Sequence, residues 1–292
     1  MKLINQETVE KKMTSRLIMN NVQRAILLMA TLFGLVVLGI LIYRIVTQGI
    51  GYITPEFFMN FASRFPEKAG IKAAIVGTLW VMAVTAPVSF ILGVGTAIYL
   101  EEYAPKNKFT KLIQINISNL AGVPSIVFGL LGLTIFVRLL EMGRSVLAGG
   151  YTLSLLILPV IVVAAQEAIR SVPQELRDAS FAMGATKWQT IRRVVLPAAV
   201  PGILTGSILA FSRAIGETAP LIMIGALTFI AFLPESVYSG FTVMPIQIYN
   251  WVSRPQAEFQ ELAASGILVL LVMLIILNSI AVIIRNKFQK RY

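Results

Sequence analysis

Long apolar runs, separated by short charged stretches, organise this chain, and their spacing predicts membrane helices. A crossing needs about 20 consecutive apolar residues. Five runs meet or approach that length: Ala25–Tyr43, Ala73–Leu100, Leu120–Val137, Tyr151–Ala165 and Leu262–Ile284. A further run begins at Ala198 and extends to Leu233. The first run is too long for a signal-peptide core and no small-residue cleavage pattern follows it, so it is expected as a mature helix. The run from Ala198 poses a counting problem. At about 36 residues it would rise about 54 Å as one straight helix, against a hydrocarbon core of about 30 Å.

The distribution of basic residues decides the count. With six spans, Lys2, Lys11, Lys12, Arg16, Arg24, Lys106, Lys108, Lys111, the basic residues of the loop 166–197 and the tail residues Arg285, Lys287, Lys290 and Arg291 share one side. Arg44, Arg64, Lys68, Lys72, Arg138, Arg144 and Arg254 lie on the other, a ratio of 17 to 7. The positive-inside rule therefore predicts six transmembrane helices with both termini in the cytoplasm. The expected fold class is all-α, a polytopic membrane protein. Its parts are a cytoplasmic N-terminal tail (1–24), a first helix with an external amphipathic segment (25–70), a core (71–284) and a basic cytoplasmic tail (285–292).

Composition agrees. Hydrophobic residues make up 57%, charged residues 13%, and mean hydropathy is +0.79. The chain has no cysteine and no histidine, which excludes disulfides, thiol nucleophiles, imidazole acid/base chemistry and cysteine or histidine metal sites. No catalytic residue and no metal ligand set is expected. The net charge of +11 flanks apolar spans, so the lipid bilayer accounts for it and no nucleic acid is implied.

One segment is unlike the rest. Gln166–Pro197 carries Glu167, Arg170, Glu175, Arg177, Asp178, Lys187, Arg192 and Arg193, and a lipid-facing helix cannot hold that many charges. It is expected in the cytoplasm as two short helices. Ser171-x-x-Gln174 has capping-box spacing with Pro173 in the first turn, so the first helix is expected from about Val172. Gly184 is placed to end it in a left-handed conformation. Thr186-x-x-Gln189 repeats the capping pattern, and the second helix runs toward Val195, before Pro197 and Pro201. Phe181, Met183 and Trp188 are available as apolar knobs. The pattern alone fits either a docking device for a partner or a hairpin resting on lipid head groups.

Within the run after Ala198, only Arg213 and Glu217 are charged. They stand four apart, on one helix face. Intramembrane charges face a polar cavity, a partner or a substrate path, or else lock helices together as an internal pair. An arginine fork suits an oxyanion. Gly216 and Pro220 bracket Glu217 and predict a kink or break there. Smaller features carry less. Asn116, Ser118, Asn119, Pro124 and Ser125 fit either a polar gate or helix-start caps. Gly129-x-x-Gly132 is expected to ease helix packing, and Glu101-Glu102 with Lys106–Lys111 to form a solvated turn. Thr54–Phe65 is expected as an interfacial amphipathic helix. Trp80, Trp188 and Trp251 fit interfacial anchoring or packing.

The loop resembles the coupling loop of ABC-importer permeases, whose signature is Glu-Ala-Ala, three residues, Gly, nine residues, Ile, one residue, Leu-Pro. Asp178-Ala179-Ser180, Gly184, Val194 and Leu196-Pro197 stand at that spacing, with Asp for Glu, Ser for Ala and Val for Ile. The resemblance extends over about Ile71–Ile284 and implies a MetI-like permease fold in which Asp178, Ala179, Ser180 and Gly184 dock on a cytoplasmic ATPase. Three further stretches are similar to phosphate-importer permeases of the PstA type: Phe211 to Leu221 with its Gly216-Glu217-Thr218-Ala219-Pro220 ending, Asn119 to Gly129, and Pro245 to Trp251. What this implies is a heterodimer with a PstC-type permease, a cytoplasmic ATPase dimer, an extracytoplasmic phosphate-binding protein, and inorganic phosphate as cargo. Arg213 and Glu217 would lie on the translocation path.

No Gly-x4-Gly-Lys-Ser/Thr loop occurs in the chain. ATP is therefore expected on the partner subunit, and the chain itself is expected to be neither an enzyme nor a cofactor binder. Permeation of another oxyanion (molybdate, sulfate or a phosphonate), a non-transporting membrane scaffold for a signalling partner and a proton-driven carrier are the competing readings.

Overall fold

The computed structural model describes residues 6–288. Lys2, Lys290 and Arg291, assigned above to basic tails, lie outside the described residues, as do the side chains of Lys11 and Lys12. The helices are α1 (Gln6–Gly49), α2 (Pro55–Met59), α3 (Lys72–Ile98), α4 (Lys108–Leu120), α5 (Ser125–Gly132), α6 (Val146–Arg170), α7 (Gln174–Ala182), α8 (Lys187–Thr190), α9 (Leu196–Gly216), α10 (Ala219–Ile224), α11 (Met244–Val252) and α12 (Ala257–Phe288). No strand occurs among the described residues.

Five helical stretches are long and apolar enough to cross a bilayer: Arg16–Tyr52, Lys72–Tyr103, Val146–Arg170, Lys187–Gly216 and Ala257–Lys287. Counted as one broken span, the pair α4 and α5, bent by 102°, adds a sixth. Five of the six expected spans are thus single helices, and the third is not a straight helix from Leu120. The chain turns at Ala121–Pro124, and Pro124, which has no N–H to give, leads into α5. None of the candidate caps at this turn caps α5; Asn116 instead donates to the carbonyl of Leu112 at 3.0 Å.

α6 is the centre of the bundle. In its most apolar window 67% of residues are buried, against 0% for α1 and α12. α3 lies along it through small and hydroxyl-bearing residues. A Cβ on Gly93 would meet Ile161 at 2.7 Å, and one on Gly150 would meet Val84 at 2.6 Å. Thr85 donates to the carbonyl of Gly150 at 3.1 Å, and Ser154 reaches that same carbonyl at 2.7 Å. α9 also packs closely on α6, with Gly202 set against Ala168 and Gly206 against Ala164. The buried residues Val81, Phe128, Leu153, Ile157, Ile161, Ala214, Leu221 and Phe241 form the main apolar cluster.

The expected glycine pair acts as a packing device. Gly129 of α5 lies where a Cβ would be 2.7 Å from Cα of Pro220 in α10, and Gly132 abuts the side chain of Thr152 in α6. α1 stands apart from this core and joins it at its C-terminal end, where Ser265 of α12 donates to the carbonyl of Gly49 at 2.6 Å. Thr54–Phe65 is not one amphipathic helix. Only Pro55–Met59 is helical, and Phe57 turns inward to pack on Trp251 with ring centroids 5.9 Å apart. Trp251 is therefore a core residue, fully buried, while Trp188 is exposed.

The close approach of α5 to α10 yields a test. Gly129→Val places branched atoms against the Pro220 backbone, an overpacking worth about 1–3 kcal/mol. Its melting temperature in detergent should fall clearly below wild type. Gly34→Ala, at a helical position with nothing within 4 Å, should match or exceed wild type. Equal melting of the two variants would refute the seam.

Candidate functional site

Two regions carry the candidate residues: the elbow between α6 and α9, and the break after α9. The elbow starts two residues later than the sequence pattern indicates. Ser171 does not cap α7; it ends α6 and donates to the carbonyl of Ala168 at 2.8 Å. Val172 is buried, Pro173 takes the N-cap position, and α7 begins at Gln174. Gln174 donates to Asp178 at 3.0 Å.

Gly184 ends the first helix as expected, with φ at +81°. Its N–H donates to the carbonyl of Phe181 at 2.9 Å, and that of Ala185 to the carbonyl of Ser180 at 3.2 Å. That pair of bonds is the Schellman closure, which needs a left-handed residue at this position. Thr186 and Gln189 then form the expected capping box, with Thr186 N–H donating to the Gln189 side chain at 2.8 Å. Ser180 and Thr190 hydroxyls lie 2.9 Å apart and tie the two arms together. Asp178, Ala179, Ser180 and Gly184 therefore belong to one compact turn. Met183 is 87% exposed at its tip, with Phe181 and Trp188 also outward.

The brace that holds the elbow was not legible as such. α3 ends in a π-helical turn, Tyr99–Tyr103, and this turn carries Glu101 and Glu102. They are not solvated: their side chains are 14% and 12% exposed. Arg170 reaches Glu101 at 2.6 Å, and Gln166 donates to the same carboxylate at 2.9 Å. Arg177 of α7 pairs with Glu102 at 3.2 Å and donates to the carbonyls of Val172 at 2.6 Å and Ile169 at 2.9 Å. One guanidinium thus satisfies the end of α6, the start of α7 and the end of α3. The available signal was two adjacent carboxylates and two arginines that flank the Ser171–Pro173 break, one at the end of α6 and one in α7.

At the other region the helix does more than kink. α9 stops at Gly216, and Glu217 is extended at φ −76° and ψ 131°. α10 restarts at Ala219 with Pro220 in its first turn and buried. Arg213 Nε still donates to Glu217 Oε1, at 3.4 Å. The contact is long, and it occupies one of five guanidinium donors. Arg213 is half exposed, whereas Glu217 is 17% exposed. α9 buries Ala199, Ile203, Ser207, Ala210 and Ala214, so Arg213 lies with Thr205 and Leu209 on the opposite, outward stripe. Beside it, Ser212 lies 2.6 Å from Asn278 Oδ1, linking α9 to α12.

The two braces differ in worth, which can be measured. Arg177→Met strands Glu102 in a nearly closed site and should destabilise the elbow by about 3 kcal/mol. Arg170 is half exposed, and Gln166 still donates to Glu101 when it is lost, so Arg170→Met should cost about 1 kcal/mol. Limited proteolysis at the elbow in purified protein reads both. Adding Glu102→Gln to Arg177→Met should recover part of the protection; no recovery would mean that the carboxylate is not the stranded group.

Comparison with known proteins places this architecture. Residues 89–292 match the family described as binding-protein-dependent transport system inner membrane component. The chain is 32% identical over 265 residues to the probable ABC transporter permease protein YqgI of Bacillus subtilis, covering 86% of this chain and 89% of that one. It is 32% identical over 281 residues to the phosphate transport system permease protein PstA 1 of Mycobacterium tuberculosis, covering 94% and 91%. Among solved structures, a bacterial ABC transporter involved in import of the acidic polysaccharide alginate superposes with a TM-score of 0.66 at 16% identity, over 94% of this chain and 99% of that one. At that identity the likeness concerns the fold. With the family match spanning most of the chain and the fold agreeing, this protein belongs to the binding-protein-dependent inner-membrane permeases of ABC transport systems.

Proposed function

We propose that this chain is one of two homologous permeases of an ATP-driven phosphate importer, and that it forms half of the translocation path. The observation that carries the reading is the elbow of residues 166–197, closed on itself and clasped to α3 by Arg170 and Arg177. A rigid projection with exposed Met183, Phe181 and Trp188 at its tip suits a groove on a partner. The relatives named as phosphate permeases give the cargo. In this reading the partners are a PstC-type permease, a cytoplasmic ATPase dimer that binds the ATP, and an extracytoplasmic phosphate-binding protein. The elbow and both termini face the cytoplasm, and Asp178, Ala179, Ser180 and Gly184 form the docking turn.

Mechanism follows from the connections. Closure of the ATPase dimer displaces the elbow. Displacement reaches the end of α3 through the Glu101 and Glu102 pairs, and reaches α9 through the π-helical turn Ile191–Val195 that joins α8 to it. α9 carries Arg213 on its outward stripe, where the path between two permeases lies. Arg213 then offers its unused donors to the oxyanion, while its bond to Glu217 keeps the acid from repelling the cargo. Gly216 and Pro220 set the break at which α9 and α10 move separately. Hydrolysis resets the inward-facing state.

Reconstitution of the complex with its partners in proteoliposomes tests this. Uptake of labelled phosphate should require ATP. Arg213→Ala should lower it at least about tenfold, the size expected for one lost charge-assisted contact, with the complex intact on gel filtration. A complex that falls apart would make Arg213 a structural residue. Uptake of another oxyanion instead of phosphate would keep the architecture and change the cargo.

Gly184→Val tests the docking turn separately. A Cβ there meets nothing within 4 Å, so its cost comes only from the left-handed backbone. Co-purification with the ATPase should drop for Gly184→Val and be largely kept for Gly184→Asn, since asparagine tolerates this conformation. Full co-purification of the valine variant would refute the elbow as the dock.

A further inference from the structure

Between the α3–α4 connection and the elbow lies an open basin of about 1150 Å³. Its two carboxylates, Glu101 and Glu102, are already held by Arg170 and Arg177. Lys106, Lys108, Lys111 and Lys187 line the same basin and, among the described residues, pair with no carboxylate. Three of these lysines crowd the N-terminal end of α4, where the helix dipole is already positive and favours an anion. Lys187 comes from the elbow, with Nζ 5.0 Å from the ring centroid of Tyr103. Four like charges are thus gathered around one space with no internal counter-charge left.

The surroundings indicate what kind of anion. Tyr99 and Tyr103 on the π-helical turn and Phe109 and Leu112 on α4, each next in the chain to a residue that lines the basin, are 56%, 44%, 69% and 55% exposed. Exposed tyrosines next to lysines, at the end of a membrane helix, are the composition of a head-group belt. An anionic phosphodiester at the membrane surface is the counter-charge that such a lysine cluster attracts.

We propose that this basin binds the phosphate of an anionic phospholipid head group. Its charge bridges the α3–α4 lysines to Lys187, so a bound lipid restrains the elbow relative to the end of α3. The inference rests on the cytoplasmic placement of this end proposed above. Lipid retention is measured without transport, so its failure leaves the importer reading standing, and a failed uptake assay leaves retention measurable.

The test is native mass spectrometry of the complete complex, purified in mild detergent and titrated with phosphatidylglycerol or phosphatidylcholine. Wild type should retain phosphatidylglycerol preferentially. The triple variant K106Q/K108Q/K111Q should lose that retention by about two orders of magnitude, roughly fivefold per lysine. These lysines are exposed and outside the elbow, so subunit ratios in the same spectra should not change. The double variant K106Q/K108Q, expected at about 25-fold, carries the test if the triple variant fails to assemble. Unchanged retention in the variants, or equal retention of the two lipids, would overturn the proposal. A lysine-dependent adduct of inorganic phosphate without retained lipid would overturn the lipid as the source.

Discussion

Everything in this molecule hangs on how closely α3 can approach α6. Between helices in lipid there is no hydrophobic gain from burying one apolar side chain against another, because acyl chains are equally apolar. What remains is packing and hydrogen bonding, and both improve as backbones come together. Gly93 and Gly150 remove the side chains that would hold the helices apart, and the resulting proximity lets Thr85 donate to the Gly150 carbonyl at 3.1 Å and Ser154 to the Thr85 carbonyl at 3.3 Å. Each such bond is worth on the order of 0.6 kcal/mol. Their value lies in geometry, since they fix the rotation of α3 about α6.

That rotation sets the cytoplasmic end. Glu101 and Glu102 sit on the π-helical turn that continues α3, and they meet Arg170 and Arg177 because α3 is locked in register with α6. Largely desolvating Glu101, Glu102 and Arg177 is costly and would not be favoured for stability alone. Its gain is specificity of position: a guanidinium bonded to two carbonyls and a carboxylate admits one placement of α7. The elbow thus belongs mechanically to α3 and α6 together. Packing on one side and ion pairing on the other convert a surface loop into part of the bundle.

The spans, the elbow and the left-handed glycine were legible in the sequence because each has a local cause. Charge cannot enter lipid, Gly184 relieves a backbone conformation, and Thr186-x-x-Gln189 closes a box with its own neighbours. What escaped was set by distant partners. Glu101 and Glu102 look like any solvated acidic turn until Arg170 and Arg177 are brought to them. Ser171 has the spacing of a cap for α7, but the buried Val172 and the Pro173 next to it displace the helix start, and the hydroxyl turns back to Ala168. The 102° turn between α4 and α5 likewise follows from α5 packing on α10 through Gly129, a contact invisible along the chain. Arg213 and Glu217 were recognised by their rarity, and their geometry differs from the expected helical pair.

That difference bears on mechanism. Had Glu217 remained in α9, its contact with Arg213 would be an ordinary pair four residues apart on a rigid helix. Instead Glu217 is extended and α10 returns alone to pack against α5. Breaking a membrane helix frees backbone groups, which is tolerated only where protein or a polar cavity surrounds them. Here Glu217 N–H still finds the Ala214 carbonyl at 3.2 Å, and Gly225 at φ +89° closes α10 with bonds back to Ile222 and Leu221. Both ends of the break therefore keep hydrogen bonds within the chain. Arg213 and Glu217 consequently ride on separate segments, one on α9 and one leading into α10. Their 3.4 Å contact is the joint between the segments, and any movement of α9 relative to α10 must change it. A pair held within one rigid helix would carry no such dependence on how the two segments sit.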